Sequence, residues 1–170
     1  GPNNNPSAGL DNSAGSDPDL NGLHPTGTNP QDAAVIEFDF MVATDSVRFN
    51  YVWGSEEYHE FVGSGCNDYF GFFINGPGFV GKKNIALIPG TNIPISINTV
   101  NNGNTYSGPC SNCGNFFDNT GGTTVQYEGL TTVLTASTQV CPCEVYHIKL
   151  AVQDFCDGGY DSGVFLEGNS

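Results

Sequence analysis

The stretches AAVIEFDF, residues 33–40, and DSVRFNYVW, residues 45–53, decide the fold. In the first, Ala34, Ile36, Phe38 and Phe40 alternate with Val35, Glu37 and Asp39. In the second, Val47, Phe49, Tyr51 and Trp53 alternate with Ser46, Arg48 and Asn50. Successive side chains of a strand point to opposite faces, so this period of two turns an apolar face inward and a polar one to water. Two half-buried strands with a few residues between them suit a hairpin. Further apolar runs follow at YFGFFIN (69–75), NIALI (84–88), ISI (95–97), TTVQY (123–127), LTTVLTA (130–136), CEVYHIKLAVQD (143–154) and SGVFLE (162–167), punctuated by Gly, Pro or Asn. About nine short strands at such spacings predict an all-β chain, a two-sheet antiparallel β-sandwich of jelly-roll-like type.

Composition agrees. Twenty-three Gly and ten Pro are turn material, while twelve Phe, seven Tyr and one Trp supply more apolar surface than a disordered chain carries. The 170 residues suit one domain. Residues 1–31 offer little apolar beyond Leu10, Leu20 and Leu23 and read as an extended or looped lead-in to a sandwich over 32–170. Eighteen acidic residues face four basic ones, a net charge of −14. That balance argues against nucleic acid, whose binding relies on clustered Lys and Arg. No apolar run reaches the roughly 20 residues of a membrane span, so no membrane insertion is expected.

Six cysteines, at 66, 110, 113, 141, 143 and 156, suggest an oxidising extracellular setting and full pairing. Cys110 and Cys113 would staple the long loop 101–122. The alternative, one zinc shared by Cys110, Cys113, Cys141 and Cys143, has an unusually tight one-residue spacer. Two acidic loops stand out: GSEEYHEFVGSGCND (54–68), with Glu56, Glu57, Glu60, Asn67 and Asp68, and QDFCDGGYDSG (153–163), with Asp154, Asp157 and Asp161. Cys66 lies in one and Cys156 in the other, so a bridge between them would clamp like charges together, and a divalent ion would offset the repulsion. Carboxylates and an amide oxygen on glycine-rich turns fit Ca2+, which takes six to eight oxygens. The plainer reading is surface turns whose Asp side chains cap their own backbone.

Among the aromatics, Tyr58 and Phe61 lie in a loop and are the candidates for an exposed contact with a glycan or protein; the strand aromatics read as core. Paired carboxylates such as Glu56 and Asp157 could serve a glycosidase, but glycine turns beside them favour a metal. His147 alternates with Lys149 on what reads as a solvent-facing strand surface, and His59 is a weak ligand or base candidate. With no nucleophile elbow, phosphate loop or zinc-protease pair in the sequence, no enzyme is expected.

Taken together, DAAVIEFDF, VRFNYVWGSEEYHEFVGSGCNDYFGFFINGPG, NIALIPGTNIPISINTVN, LTTVLTA and YHIKLAVQDFCDGGYDSGVFLE closely resemble the choice-of-anchor L domains, over roughly residues 32 to 167. The resemblance implies an extracellular β-rich module of a large bacterial cell-surface protein, often with adhesin-like repeats and type IX secretion tails, and implies no catalysis. The family pattern matches here at Glu56, Glu57, Asn67, Asp68, Asp154, Asp157, Tyr160, Asp161 and Ser162. Cys66 and Cys156 depart from it and suggest an added staple. The resemblance also implies N-terminal strands ahead of residue 1, whose absence would leave a sheet edge open to strand complementation. The function expected is a calcium-stabilised adhesive or ligand-binding module; the alternative is a spacer or assembly subunit of a surface filament contacting neighbouring subunits.

Overall fold

The computed structural model describes residues 1–24, 29–104, 109–156 and 158–168. Nearly all of its regular structure is strand: β1 (Pro30–Met41), β2 (Ser46–Ser55), β3 (Tyr69–Asn75), β4 (Lys83–Asn84), β5 (Ile95–Ser96), β6 (Phe116–Asp118), β7 (Gly129–Thr131), β8 (Leu134–Gln139), β9 (Val145–Phe155) and β10 (Ser162–Leu166). One sheet runs β1–β9–β3–β4, with β5 against β3; the other runs β10–β2–β7–β6, with β8 also on β2. All pairings are antiparallel. The two sheets face each other as the expected β-sandwich.

The alternation seen in the sequence builds the core between them. Tyr51 and Trp53 of β2 meet Phe70, Phe72 and Ile74 of β3 and Tyr146 and Ile148 of β9, all almost wholly buried. Fully burying each such side chain contributes about 1.5–3 kcal/mol. The aromatic contacts are tilted or edge-on, as between Tyr51 and Phe70, whose rings lie 5.2 Å apart.

The expected β1–β2 hairpin does not form. β1 pairs with β9 across more than a hundred residues of sequence, from Pro30↔Phe155 to Met41↔Val145, while β2 joins the opposite sheet. Residues 42–45 arch from one sheet to the other, held where Val42 N donates to Glu144 O at 3.4 Å and Val140 N donates to Asp45 O at 2.8 Å. Two apolar faces joined by a short connection satisfy themselves equally well across a core as within one sheet, and alternation alone does not distinguish the two. TTVQY is likewise no strand, because Asn119 Nδ2 donates to both Val125 O and Tyr127 O and curls that loop on itself; β6 forms inside the expected loop 101–122, and the expected strand LTTVLTA divides between β7 and β8.

Residues 1–24 pack on the sandwich rather than away from it. A short helix, α1 (Pro18–Asn21), is capped by Asp17, whose Oδ1 accepts from Asp19 N and Leu20 N. Leu20 is fully buried against Tyr69, Phe73, Ala151 and Phe155, a second small core on the outer face of the β9–β3 sheet. Lys149 is the basic residue beneath it. It forms an ion pair with Asp17 and another with Asp19 at 2.7 Å, and Asp19 also holds Lys82 at 2.6 Å. Lys149 is therefore buried, not the solvent-facing residue that alternation with His147 suggested. His147 stays half-exposed, its Nδ1 2.8 Å from Asp39 Oδ1.

β1 overhangs its partner sheet. Ile36, on the inner face, is 65% exposed, because β10 opposite it is only five residues long. Ala34, Ile36, Phe70, Leu150, Val164 and Leu166 line the resulting apolar groove of ≈ 200 Å³.

Candidate metal centre

Strands β1, β9 and β10 bring one end of each together at a rim of the sandwich. β9 delivers Asp154 near its end, β10 begins one residue after Asp161, and β1 carries Asp32 in a bulge between the Gln31↔Asp154 and Ala34↔Val152 pairs. A bulge re-aims side chains, and Asp32, at φ 54, turns toward its two counterparts. Carboxylate oxygens of Asp32, Asp154 and Asp161 all lie within 4.8 Å of one another. Asn12, Tyr127, Gln153 and Ser162 complete a cavity of ≈ 210 Å³ around them.

The lead-in organises this rim. Leu10 N donates to Asp161 Oδ1 at 3.2 Å and Oδ2 at 3.1 Å, while Asn12 N and Ala14 N donate to the two oxygens of Asp32 at 3.0 and 3.2 Å. Such a close approach requires Gly9: a Cβ there would stand 2.5 Å from Tyr160 N. Behind Asp154 lies Asp68, fully buried, accepting from Phe155 N at 3.0 Å and from Ser162 Oγ at 2.7 Å.

Electrostatics here run against ionisation. Burial first, then the charges of Asp68 and Asp161, pushes Asp154 up to about 9. Burial and then Glu57 raise Asp68 well above the usual carboxylate range, and burial raises Asp161 despite the Leu10 hydrogen bond. Burial first and like charge second thus favour the protonated forms of Asp154, Asp68 and Asp161.

Of the expected metal ligands, Asp154 and Asp161 converge. Asp68 stands directly behind them, its two oxygens engaged by Phe155 and Ser162, and Glu57 lies deeper, where its Oε2 accepts from Asp68 N at 3.3 Å. Asn67 turns aside to accept from Asn98 N at 2.9 Å. Glu56 lies beside Glu128 and Asp161. Asp157 lies outside the described residues. Asp32 is the ligand candidate the sequence reading missed; an Asp at the onset of a strand was its only signal, since its partners lie more than 120 residues away.

Tyr58 is a correction. Rather than an exposed contact it is 0% exposed, its ring packed on Trp53 and Phe116 and its hydroxyl donating to Val100 O at 2.6 Å. The loop that carries it folds inward because its phenol finds a carbonyl there. Phe61 is half-buried, edge-on to Tyr160 at 5.1 Å between ring centres. His59 is buried, with Nδ1 3.1 Å from Gly103 O.

Cys66 and Cys156 are bonded, their Cα atoms 5.2 Å apart, so the two acidic loops are clamped as their sequence positions suggested. Cys110 and Cys113 are bonded to each other. Cys141 and Cys143 are exposed free thiols, which corrects the expectation of full pairing, and the Cys110–Cys113 bond leaves no four-thiolate set for zinc.

Among the described residues no helix is long and apolar enough to cross a membrane. No curated protein and no solved structure matches the chain. The family model of the choice-of-anchor L domain matches it over residues 1–170, lead-in included. The chain therefore belongs to the choice-of-anchor L family, a family of bacterial secreted or cell-surface modules rather than of enzymes.

Proposed function

We propose that this domain is a calcium-stabilised extracellular module that presents an adhesive or ligand-binding surface on a large bacterial cell-surface protein. The observation that carries the calcium reading is the convergence of Asp32, Asp154 and Asp161 within 4.8 Å at a rim already fastened by Cys66–Cys156. Three carboxylates with an amide side chain at Asn12, the Ser162 hydroxyl and room for water match the hard-oxygen chemistry of Ca2+. The ion would offset the burial and like-charge repulsion that raise Asp154, and would tie the lead-in, β1, β9 and β10 into one rigid end. A glycan or protein would meet the half-exposed surface around Phe61 and Tyr160 beside that end.

A thermal melt with calcium and with chelator tests the ion. At a hundred times its dissociation constant calcium adds about 2.7 kcal/mol, a rise of several degrees. Asp32→Asn should abolish the gain, and an unchanged wild-type midpoint would remove calcium from the account.

The second reading, an assembly subunit of a filament, is supported by β1. Among the described residues β9 is its only strand partner; Ala14 and Gly15 accept from Asp32 N and Ala33 N at its start, while Ile36, Phe38 and Met41 farther along are exposed. Such an edge is a template for another strand. Concentration-dependent association that Phe38→Lys prevents, with calcium binding unchanged, would favour that reading.

A further inference from the structure

The four basic residues of the chain divide into two pairs. Lys82 is taken up by Asp19, and Lys149 by Asp17 and Asp19. Arg48 and Lys83 form no ion pair among the described residues, although the chain carries eighteen acidic side chains. These two line one cavity of ≈ 350 Å³, together with Ser46, Ser137, Thr138 and Gln139.

Strand register explains the gathering. β2 and β8 pair Ser46 with Gln139, Val47 with Thr138 and Arg48 with Ser137. Side chains two apart share a face, so Ser46, Arg48, Ser137 and Gln139 stand together on the outer side while Val47 turns into the core. Lys83 comes from β4 of the other sheet. Its Nζ donates to Thr138 Oγ1 at 3.2 Å and lies 5.8 Å from the centre of the Phe79 ring. The cavity therefore bridges the two sheets. It lies toward the opposite end of β2 from the aspartate rim, where Ser55 pairs with Ser162.

The chemistry of the lining is a guanidinium, an ammonium, three hydroxyls and an amide; among the described residues no Asp or Glu lines it. A guanidinium grips a carboxylate or sulfate through two parallel hydrogen bonds, and an ammonium adds a point charge. Hydroxyls and amides both donate to and accept from the hydroxyls of a sugar. A dense polyanion is disfavoured, because the net charge of −14 repels it at longer range. A single acid group set in an otherwise neutral glycan gains the local pairing without bringing a long charged chain into that field.

We infer that the cavity between β2, β8 and β4 binds an acidic sugar residue, its carboxylate or sulfate held by Arg48 and Lys83 and its hydroxyls by Ser46, Ser137 and Gln139. This site goes beyond the function proposed above: it lies apart from Phe61 and Tyr160 and needs no calcium.

Calorimetric titration of the whole chain at fixed ionic strength tests it, with sialyllactose, sulfated lactose, lactose and inorganic sulfate as separate probes. At least one acidic sugar should bind, and lactose and inorganic sulfate should each bind about tenfold more weakly or worse, the loss expected for one charge-assisted hydrogen bond. Arg48→Gln should weaken the acidic sugar by a similar factor, and Phe61→Ala should leave it unchanged. In wild type the amide NMR shifts that move should be those of residues 46–48 and 137–139. Acidic sugars that bind no better than lactose, an Arg48→Gln chain that binds as wild type does, or shifts confined elsewhere would overturn the inference. Inorganic sulfate binding as tightly as the sugars would overturn the glycan and leave a simple anion site. Titrations in calcium and in chelator should agree, and binding lost in chelator would overturn a site independent of the rim.

Discussion

Two regions of this molecule bury acidic side chains in opposite ways. On the outer face of β9, Asp17 and Asp19 close over Lys149, and each charge finds its counterpart within the chain. At the rim, Asp32, Asp154 and Asp161 converge with Asp68 behind them, and among the described residues no ion pair to a basic side chain is formed there. The outcome appears in the ionisation. Although burial opposes the charge of Asp19, Lys149 and Lys82 outweigh it and hold that carboxyl below its ordinary value. Asp154 is instead driven up to about 9. Identical side chains are ion-paired within the chain in one place and, on the function proposed above, ligands for an outside cation in the other, and the neighbouring charge distinguishes them.

The comparison breaks most sharply at Lys149. Lys149→Met removes a buried partner and leaves Asp17 and Asp19 uncompensated, a loss of about 3–5 kcal/mol expected for a broken buried pair. Chemical denaturation measures it, and a loss below about 1 kcal/mol would mean that the helix cap and Leu20 hold α1 by themselves. Lys82→Ala, at the exposed end of the same network, should cost only about 0.2–1 kcal/mol.

Next in size is the pH dependence of the rim. Carboxyls whose folded pKa lies above the unfolded value bind more protons when folded, so their stabilisation is full below the unfolded pKa and is lost as pH rises through the folded one. For Glu56 and Glu128 that window runs from 4.5 to about 7, and for Asp154 from 3.8 to about 9. The metal-free chain should melt higher at pH 5 than at pH 8, and the calcium gain should be large at pH 8 and small at pH 5, since calcium and protons compete for the same oxygens. Melts in chelator and in calcium across that range would show it; a calcium gain independent of pH would detach the ion from these carboxyls. Asp19 titrates in the opposite sense: its contribution is present above the unfolded value of 3.8 and is lost as pH falls.

The sandwich was legible in the sequence because alternation is a local signal. Tyr69–Asn75, Val145–Phe155 and Ser162–Leu166 fall where their apolar runs predict. Pairing is non-local, and there the reading failed: β1 and β2 have the pattern of a hairpin, yet β9 offers β1 a ten-pair register and takes it into the other sheet. At the site, Asp154 and Asp161 were visible as a cluster on a glycine turn, and Cys66 and Cys156 as flanking residues. Asp32 was invisible, since only the bulge opposite Asp154 aims it inward. Tyr58 misled because its loop looks polar, GSEEYHE, whereas Ser55, Glu56, Glu57 and His59 are all buried with it.

The most direct measurement of the central claim is an anomalous difference map from crystals grown in millimolar calcium. The account predicts a peak at bonding distance, about 2.3–2.6 Å, from oxygens of Asp32, Asp154 and Asp161. A map with no peak there, in which Asp154 instead donates a short hydrogen bond to Asp68 and water fills the cavity, would contradict it.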